Sequence, residues 1–277
     1  MPGGYRPTTI GEYLKGRRYE VLAKIGHGKQ STVWLARDTS SSEDTCVAVK
    51  ILTALASEHS AELAAMQRLR DGDRSHPGFS CAPALLDSFR DMSRYGEHLC
   101  IITEALDMCA FLIPTSCFHP TLFYLPEFVV KRVMHDLLCA LDYCHNQGKI
   151  VHTDVKLSNL LASSDHKLTA SSALGRPNSF EVPAPDGSSV VLTELTAFSN
   201  LPDPSDIEGW KKIHFKLMDF GTAFLAEESA YEYNTRPISC PLTRSPEASI
   251  GAPWNASTDI WSTGILVCPL FLVCMLV

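Results

Sequence analysis

The chain has 277 residues, 45% hydrophobic and 20% charged, enough apolar content to pack one large or two modest domains. Its 24 Lys and Arg against 31 Asp and Glu leave a formal charge of −7, which argues against nucleic-acid binding through a broad basic face. Ten cysteines show no C-x-x-C pair and no zinc-ligand spacing with the histidines, so they read as reduced, mostly buried thiols. Residues 1–18 read as a polar N-terminal extension without the apolar core of a signal peptide, which with the cysteines points to an intracellular protein.

From Tyr19 to Ile51, short β-type runs (YEVLAKIG, STVWLARD, CVAVKIL) alternate with turns, SSSEDT at 40–45 being one of them. Ile25-Gly26-His27-Gly28-Lys29-Gln30-Ser31-Thr32-Val33 joins the first two runs, and glycines there let backbone N–H groups approach a phosphate. On its own such a pair reads more readily as a plain hairpin turn. Ser31 stands where a third glycine would, and the strand that follows excludes a dinucleotide fingerprint. One strand later, Val47 and Val49 share one face, and Ala48 and Lys50 the other. A lysine in that position is ordinarily a snorkelling surface residue, but the glycine turn upstream favours a phosphate-binding role.

A helix is expected over 57–70, with Met66 and Leu69 on one face. Glu58 and Glu62, four apart, share a face with Met66; either is placed to pair with Lys50, or both form a solvated acidic face. HLCIITEAL at 98–106 reads as another strand. After Pro126 the spacing becomes helical, with apolar residues at 130, 133, 134, 137, 138, 141 and 144 and Gly148 suited to the position past the end. A β-rich first third before a helix-rich remainder predicts a two-lobed α+β fold. Its expected parts are an N-lobe at 19–105, a C-lobe at 106–264 and an apolar tail at 265–277. Residues 163–209, rich in Ser, Pro, Asp, Gly and Asn, read as a loose insertion in which VVLTEL (190–195) forms a local strand or turn.

The densest chemistry lies in His152-Thr153-Asp154-Val155-Lys156-Leu157-Ser158-Asn159, a loop directly after the long helix. Phosphoryl transfer needs a carboxylate to orient the attacking hydroxyl and accept its proton, a cation for the moving phosphate, and an oxygen ligand for Mg²⁺. Asp154, Lys156 and Asn159 supply all three. Met218-Asp219-Phe220-Gly221 adds a second metal carboxylate, and Ser245-Pro246-Glu247 and Asp259-Ile260-Trp261-Ser262 follow in order.

In this order the motifs resemble those of the eukaryotic protein kinases, and most of all the SR-protein kinases, fungal ones in particular. The resemblance covers about residues 3–264 and is carried by GGYRPTTIGEYLKGRRYEVLAKIGHGKQSTVWLARD, VAVKIL, HTDVKLSNLL and TRSPEASIGAPWNASTDIWS. HTD in place of HRD, and the 60 positions from Asn159 to Asp219, belong to the same pattern. It implies a bilobal protein-kinase-like fold and an ATP-dependent serine/threonine kinase acting on Arg/Ser-rich proteins such as splicing factors. It also implies ATP and Mg²⁺ as cofactors, a place in the cytoplasm and nucleus, and no direct nucleic-acid contact.

Carried over residue by residue, Gly26, His27, Gly28, Lys29, Gln30, Ser31 and Thr32 would cover the ATP phosphates. Ile25, Val33, Ala48 and Leu161 would enclose adenine. Glu104 to Leu106 would be the hinge, with Thr103 as gatekeeper. Lys50 would hold the α- and β-phosphates, braced by Glu62, which stands in ELAAMQRL as in the family's helix. Asp154 would be the catalytic base, Lys156 would steady the γ-phosphate, and Asn159 and Asp219 would bind Mg²⁺.

Thr153 replaces the arginine that answers an activation-loop phosphate in many kinases, so activity without such a phosphate is expected; Ser229, Tyr231 and Thr235 lie in that loop. Leu157 and Ser158 stand where relatives often carry Pro-Glu, and Ser245 replaces Ala. After Gly264 the sequence departs from the family, whose further helices are expected there. This reading is of a C-terminally truncated member, with a catalytically inactive protein that binds nucleotide or partners as the alternative. The tail of 14 residues from Gly264 is short of the ~20 that span a bilayer, so a membrane anchor is disfavoured.

Overall fold

Strands with alternating apolar residues build the first half of the fold. The computed structural model describes residues 4–41, 44–109, 127–163, 179–183, 189–195, 201–202, 206–225 and 238–275. The chain divides into two units, Met1–His59 with Leu85–Leu106 and His166–Ser199, and Ser60–Ala84 with Asp107–Asp165 and Asn200–Val277.

In the first unit, β1 (Tyr13–Leu14), β2 (Tyr19–His27), β3 (Ser31–Asp38), β4 (Cys46–Leu52), β5 (Leu85–Ser93) and β6 (Gly96–Glu104) form one antiparallel sheet in the order β1-β2-β3-β4-β6-β5. The two-residue period puts Val47, Val49 and Ile51 into one apolar cluster with Tyr19, Val21, Trp34, Cys100 and Ile102. Lys50 lies on the opposite face, paired in register with Val33 and Ile101, while Ala48 pairs with Leu35 and Thr103. That is the face expected from the sequence. At the sheet's end, Asp87 accepts hydrogen bonds from Lys15, Arg18 and the Tyr19 hydroxyl. The Arg18 fork, at 2.9 and 3.1 Å, holds the Asp38 carboxyl down at about 2.

Two expectations change here. The single helix over 57–70 is two, α1 (Ala54–His59) and α2 (Glu62–Asp71), separated where the Ser60 hydroxyl accepts the N–H of Glu62 at 3.2 Å. Glu58 and Glu62 therefore share no helix face: Glu58 is exposed on α1, whereas Glu62 is buried in the first turn of α2. Met66 and Leu69 are buried together, as the pattern required. Within the insertion, β10 (Ser179–Pro183) and β11 (Ser189–Thr193) pair antiparallel, and Leu195 bridges Lys24 of β2; the strand expected in VVLTEL is there, and β10, which was not expected, makes it one arm of a hairpin.

The second unit is organised by α3 (Glu127–Asp142), whose Val129, Val130, Val133, Leu137, Ala140 and Leu141 are buried at helical spacing. Leu138, counted with the apolar face in the sequence, is 47% exposed, and Asp136 is buried instead. The Asp136 carboxylate accepts the Phe215 N–H at 2.9 Å, so the polar residue is held by the neighbouring strand. β7 (Asp107–Cys109), β9 (Leu160–Ser163) and β12 (His214–Leu217) form a small sheet over this helix, and β8 (Ile150–Val151) pairs with β13 (Phe224–Leu225). Residues 206–209, counted with the insertion in the sequence, open α4 (Ile207–Lys211), whose Trp210 is buried in the same core. α5 (Pro246–Ser249) and α6 (Ser257–Met275) follow, Leu266 of α6 reaching that core.

No helix among the described residues is long and apolar enough to cross a membrane. Cys46, Cys81, Cys100 and Cys144 are buried free thiols, and burial pushes Cys46 and Cys81 up to about 11 and Cys100 to about 12. Gly78 sits under α3 so closely that an added Cβ would lie 2.0 Å from the Cys139 carbonyl oxygen and 2.7 Å from Tyr143 Cβ. Backbone cannot yield as a flexible side chain does, so Gly78→Ala is expected to destabilise the chain toward the upper end of about 1–3 kcal/mol. A urea-unfolding midpoint equal to that of the unmodified chain would contradict this packing.

Candidate active site

In the first unit, β2 stops at His27 and β3 starts at Ser31, and the Gly28 N–H donates to the Ser31 carbonyl at 2.9 Å to close the turn. An added Cβ on Gly28 would meet nothing nearer than Ser31 Oγ at 4.0 Å, so open space lies beside the backbone. His27, Gly28, Lys29 and Gln30 are exposed. Thr32 is different: it is buried in β3 between His27 and Ile51, and its hydroxyl accepts from the Trp34 indole at 3.0 Å, so its side chain is turned into the sheet. Ile25 and Ala105 pack on one cluster with Ala23, Leu35 and Cys46. Thr103 is buried beside Ala48, and its hydroxyl donates to the Glu104 carbonyl at 3.2 Å; Leu106 is buried just beyond.

In the second unit, the loop after β8 gathers three expected residues. Lys156 Nζ donates to Asp154 Oδ2 at 2.6 Å, and Asn159 Nδ2 donates to the Asp154 carbonyl at 2.9 Å and to Oδ2 at 3.3 Å. With its amide nitrogen so engaged, Asn159 presents Oδ1 on the other side. β9 and β12 pair Leu160 with Leu217, and the Met218 N–H donates to the Asn159 carbonyl at 2.7 Å. Asn159 is thereby held one residue from Asp219, despite the long sequence between them. Asp219 is exposed and adopts a left-handed backbone at φ +69, a conformation non-glycine residues take at a cost of order ~1 kcal/mol.

His152 joins these segments. Its Nδ1 accepts the Asp154 N–H at 3.2 Å, which leaves Nε2 as the protonated nitrogen that donates to the Met218 carbonyl at 3.0 Å. Phe220 packs edge-on against the same ring at 4.9 Å. Beneath the loop lies Asp259, fully buried on α6, which accepts the N–H groups of His152 at 2.7 Å and Thr153 at 2.8 Å and pairs with His145 Nε2 at 2.9 Å. Thr153 itself has φ +68, unusual for a β-branched residue. Its hydroxyl donates to the Thr222 carbonyl at 2.7 Å and its carbonyl accepts from the Ser239 hydroxyl, so the strained residue is fixed from three directions.

The expected residues thus fall into two groups. Ile25 to Val33, Ala48, Lys50, Glu104 and Leu106 belong to the first unit, and Glu62, Asp154, Lys156, Asn159, Leu161 and Asp219 to the second. Asp259 and His145 were not marked as site residues in the sequence, although Asp259 stood in view within a motif. Ser229, Tyr231 and Thr235 lie outside the described residues.

The pattern of the protein kinase domain matches residues 19–171, more than half of the chain. The chain belongs to the protein kinase family. A solved kinase domain superimposes with a TM-score of 0.64 at 22% identity, over 96% of this chain and 67% of that one, which shows the kinase fold. This kinase-family chain is 29% identical over 275 residues to a serine/threonine protein kinase of Aspergillus fumigatus, covering 97% of this chain and 61% of that protein. It is 30% identical over 281 residues to the serine/threonine-protein kinase SRPK of Physarum polycephalum, covering 96% and 62%. Protein kinase dsk1 of Schizosaccharomyces pombe is 37% identical over 168 residues, 59% of this chain and 30% of its own length. The kinase-family chain therefore spans about three-fifths of the length of the first two relatives.

Proposed function

We propose that this chain transfers the γ-phosphoryl group of ATP to serine hydroxyls of Arg/Ser-rich proteins. The observation that carries the reading is the Asp154 carboxylate, fixed by Lys156 and Asn159 in a loop whose backbone hangs on a buried carboxylate. A base that must meet a substrate hydroxyl within hydrogen-bond reach gains from such fixation. Asp154 orients the serine and accepts its proton, and Lys156 attracts the phosphoryl group to the same place. The open turn at Gly28 and the ammonium of Lys50 suit the remaining phosphates.

Asn159 Oδ1 and the exposed Asp219 carboxylate are hard oxygen donors, the type Mg²⁺ takes in small number while phosphates and water complete its shell. Among the described residues no group of three or more His, Cys, Asp or Glu is placed to hold a metal alone, in keeping with an ion brought in by the nucleotide. When bound, Mg²⁺ neutralises charge on the phosphate oxygens. The substrate class is supported by the printed names of relatives, SRPK and SRSF protein kinase 3 among them, and by a net charge of −7 that favours a basic peptide. Incubating the purified chain with Mg-ATP and an Arg-Ser repeat peptide is expected to yield phosphoserine, with a Glu-Ser peptide of equal length a poor substrate. No phosphoserine above the enzyme-free background would sink the proposal; equal use of both peptides would remove the substrate class alone.

A further inference from the structure

The N-terminal segment is built onto the first unit at the glycine turn. The Ala54 N–H donates to the Gly4 carbonyl at 3.0 Å. Arg6, its side chain only 10% exposed, reaches Glu12 at 2.6 Å and Asp91 at 2.7 Å. Tyr5 lies between these two anchors and is itself 43% exposed, so burial of its ring explains little of its placement. Its hydroxyl contacts two carbonyl oxygens of the turn, Gly28 at 2.7 Å and Lys29 at 2.9 Å. A phenol has one hydrogen, which is shared between them. The next carbonyl, Gln30, accepts the Thr53 N–H at 2.8 Å.

Peptide planarity turns these contacts into an orientation. In a trans peptide the carbonyl of one residue and the N–H of the next point in opposite directions. Holding the Gly28 and Lys29 carbonyls toward Tyr5 therefore directs the N–H groups of Lys29 and Gln30 away from it. Consecutive N–H groups facing one side of a turn make an anion-binding concavity. A turn that is not so held is free to flip either peptide and present a carbonyl to the anion instead.

We propose that Tyr5 is a positioning residue for the phosphate-binding amides of the glycine turn, acting through the carbonyls of Gly28 and Lys29. The proposal rests on the nucleotide reading above, and it assigns to residues 4–6 a role in nucleotide affinity. Tyr5→Phe removes the hydroxyl and leaves the ring. Losing one hydrogen bond's worth of orientation is expected to weaken ATP and ADP binding about three- to tenfold. Adenosine, which lacks phosphate, is expected to bind as tightly as before. Equal weakening of ATP and adenosine would reduce Tyr5 to a structural support and overturn the proposal, as would unaltered ATP affinity. An unmodified chain that binds no ATP overturns the nucleotide reading and this proposal with it, a result recognisable without any variant.

Discussion

Asp154→Ala is expected to lower kcat for peptide phosphorylation by about 10²–10⁴-fold, the range that a positioned general base contributes. The loss should fall on turnover rather than on nucleotide affinity, because the surroundings survive the change. Asn159 Nδ2 retains the Asp154 carbonyl as an acceptor at 2.9 Å, and the His152 ring retains the Asp154 N–H. Both are backbone groups, untouched by truncation at Cβ. Asp154→Asn sharpens the test, since an amide of the same shape still orients a hydroxyl but cannot take its proton. Steady-state rates on an Arg-Ser peptide, beside ATP affinity by calorimetry, separate the two effects. Wild-type turnover in both variants would remove Asp154 from the chemistry.

Asp259→Ala should harm the chain more broadly. The carboxylate is fully buried and satisfies two backbone N–H groups and the His145 ring at once. Its removal leaves those donors without an acceptor in a closed interior, a loss of about 3–5 kcal/mol for a broken buried pair. Thr153, whose positive φ is then held only by its bonds to Thr222 and Ser239, loses one of its three anchors. Once Thr153 relaxes, Asp154 moves with it, so kcat is expected to fall alongside the unfolding midpoint. Exchange at the His152 and Thr153 amides should become fast in the variant. A variant with normal stability and normal kcat would show that the loop needs no such anchor.

What was legible in the sequence followed from short periods and local spacing. The two-residue alternation at Val47 to Lys50 located the lysine on its face, and the i, i+2, i+5 spacing from Asp154 brought three side chains together. Contacts across large sequence distances were not legible, because no local pattern encodes them. Nothing local to Asp136 or Asp259 shows that each is buried under backbone donors, Phe215 and Thr153, that lie 79 and 106 residues away. Leu138 and the unbroken helix over 57–70 failed for the opposite reason. The apolar period runs unbroken through Ser60, whose hydroxyl nonetheless competes for helix N–H groups. Tyr5 stands in the lead-in that carries the family resemblance, but nothing local gives it a role, because its partners are 23 and 24 residues away.

The pairing of β9 with β12 has one consequence of a practical kind. Ser163 pairs with His214 and Leu160 with Leu217, so the two ends of the intervening chain are held side by side. Widening such a bight is thermodynamically inexpensive, about 0.6 kcal/mol for each doubling of a flexible loop. A reporter domain spliced between Pro183 and Ser189 would hang from the hairpin without disturbing the spacing of Asn159 and Asp219.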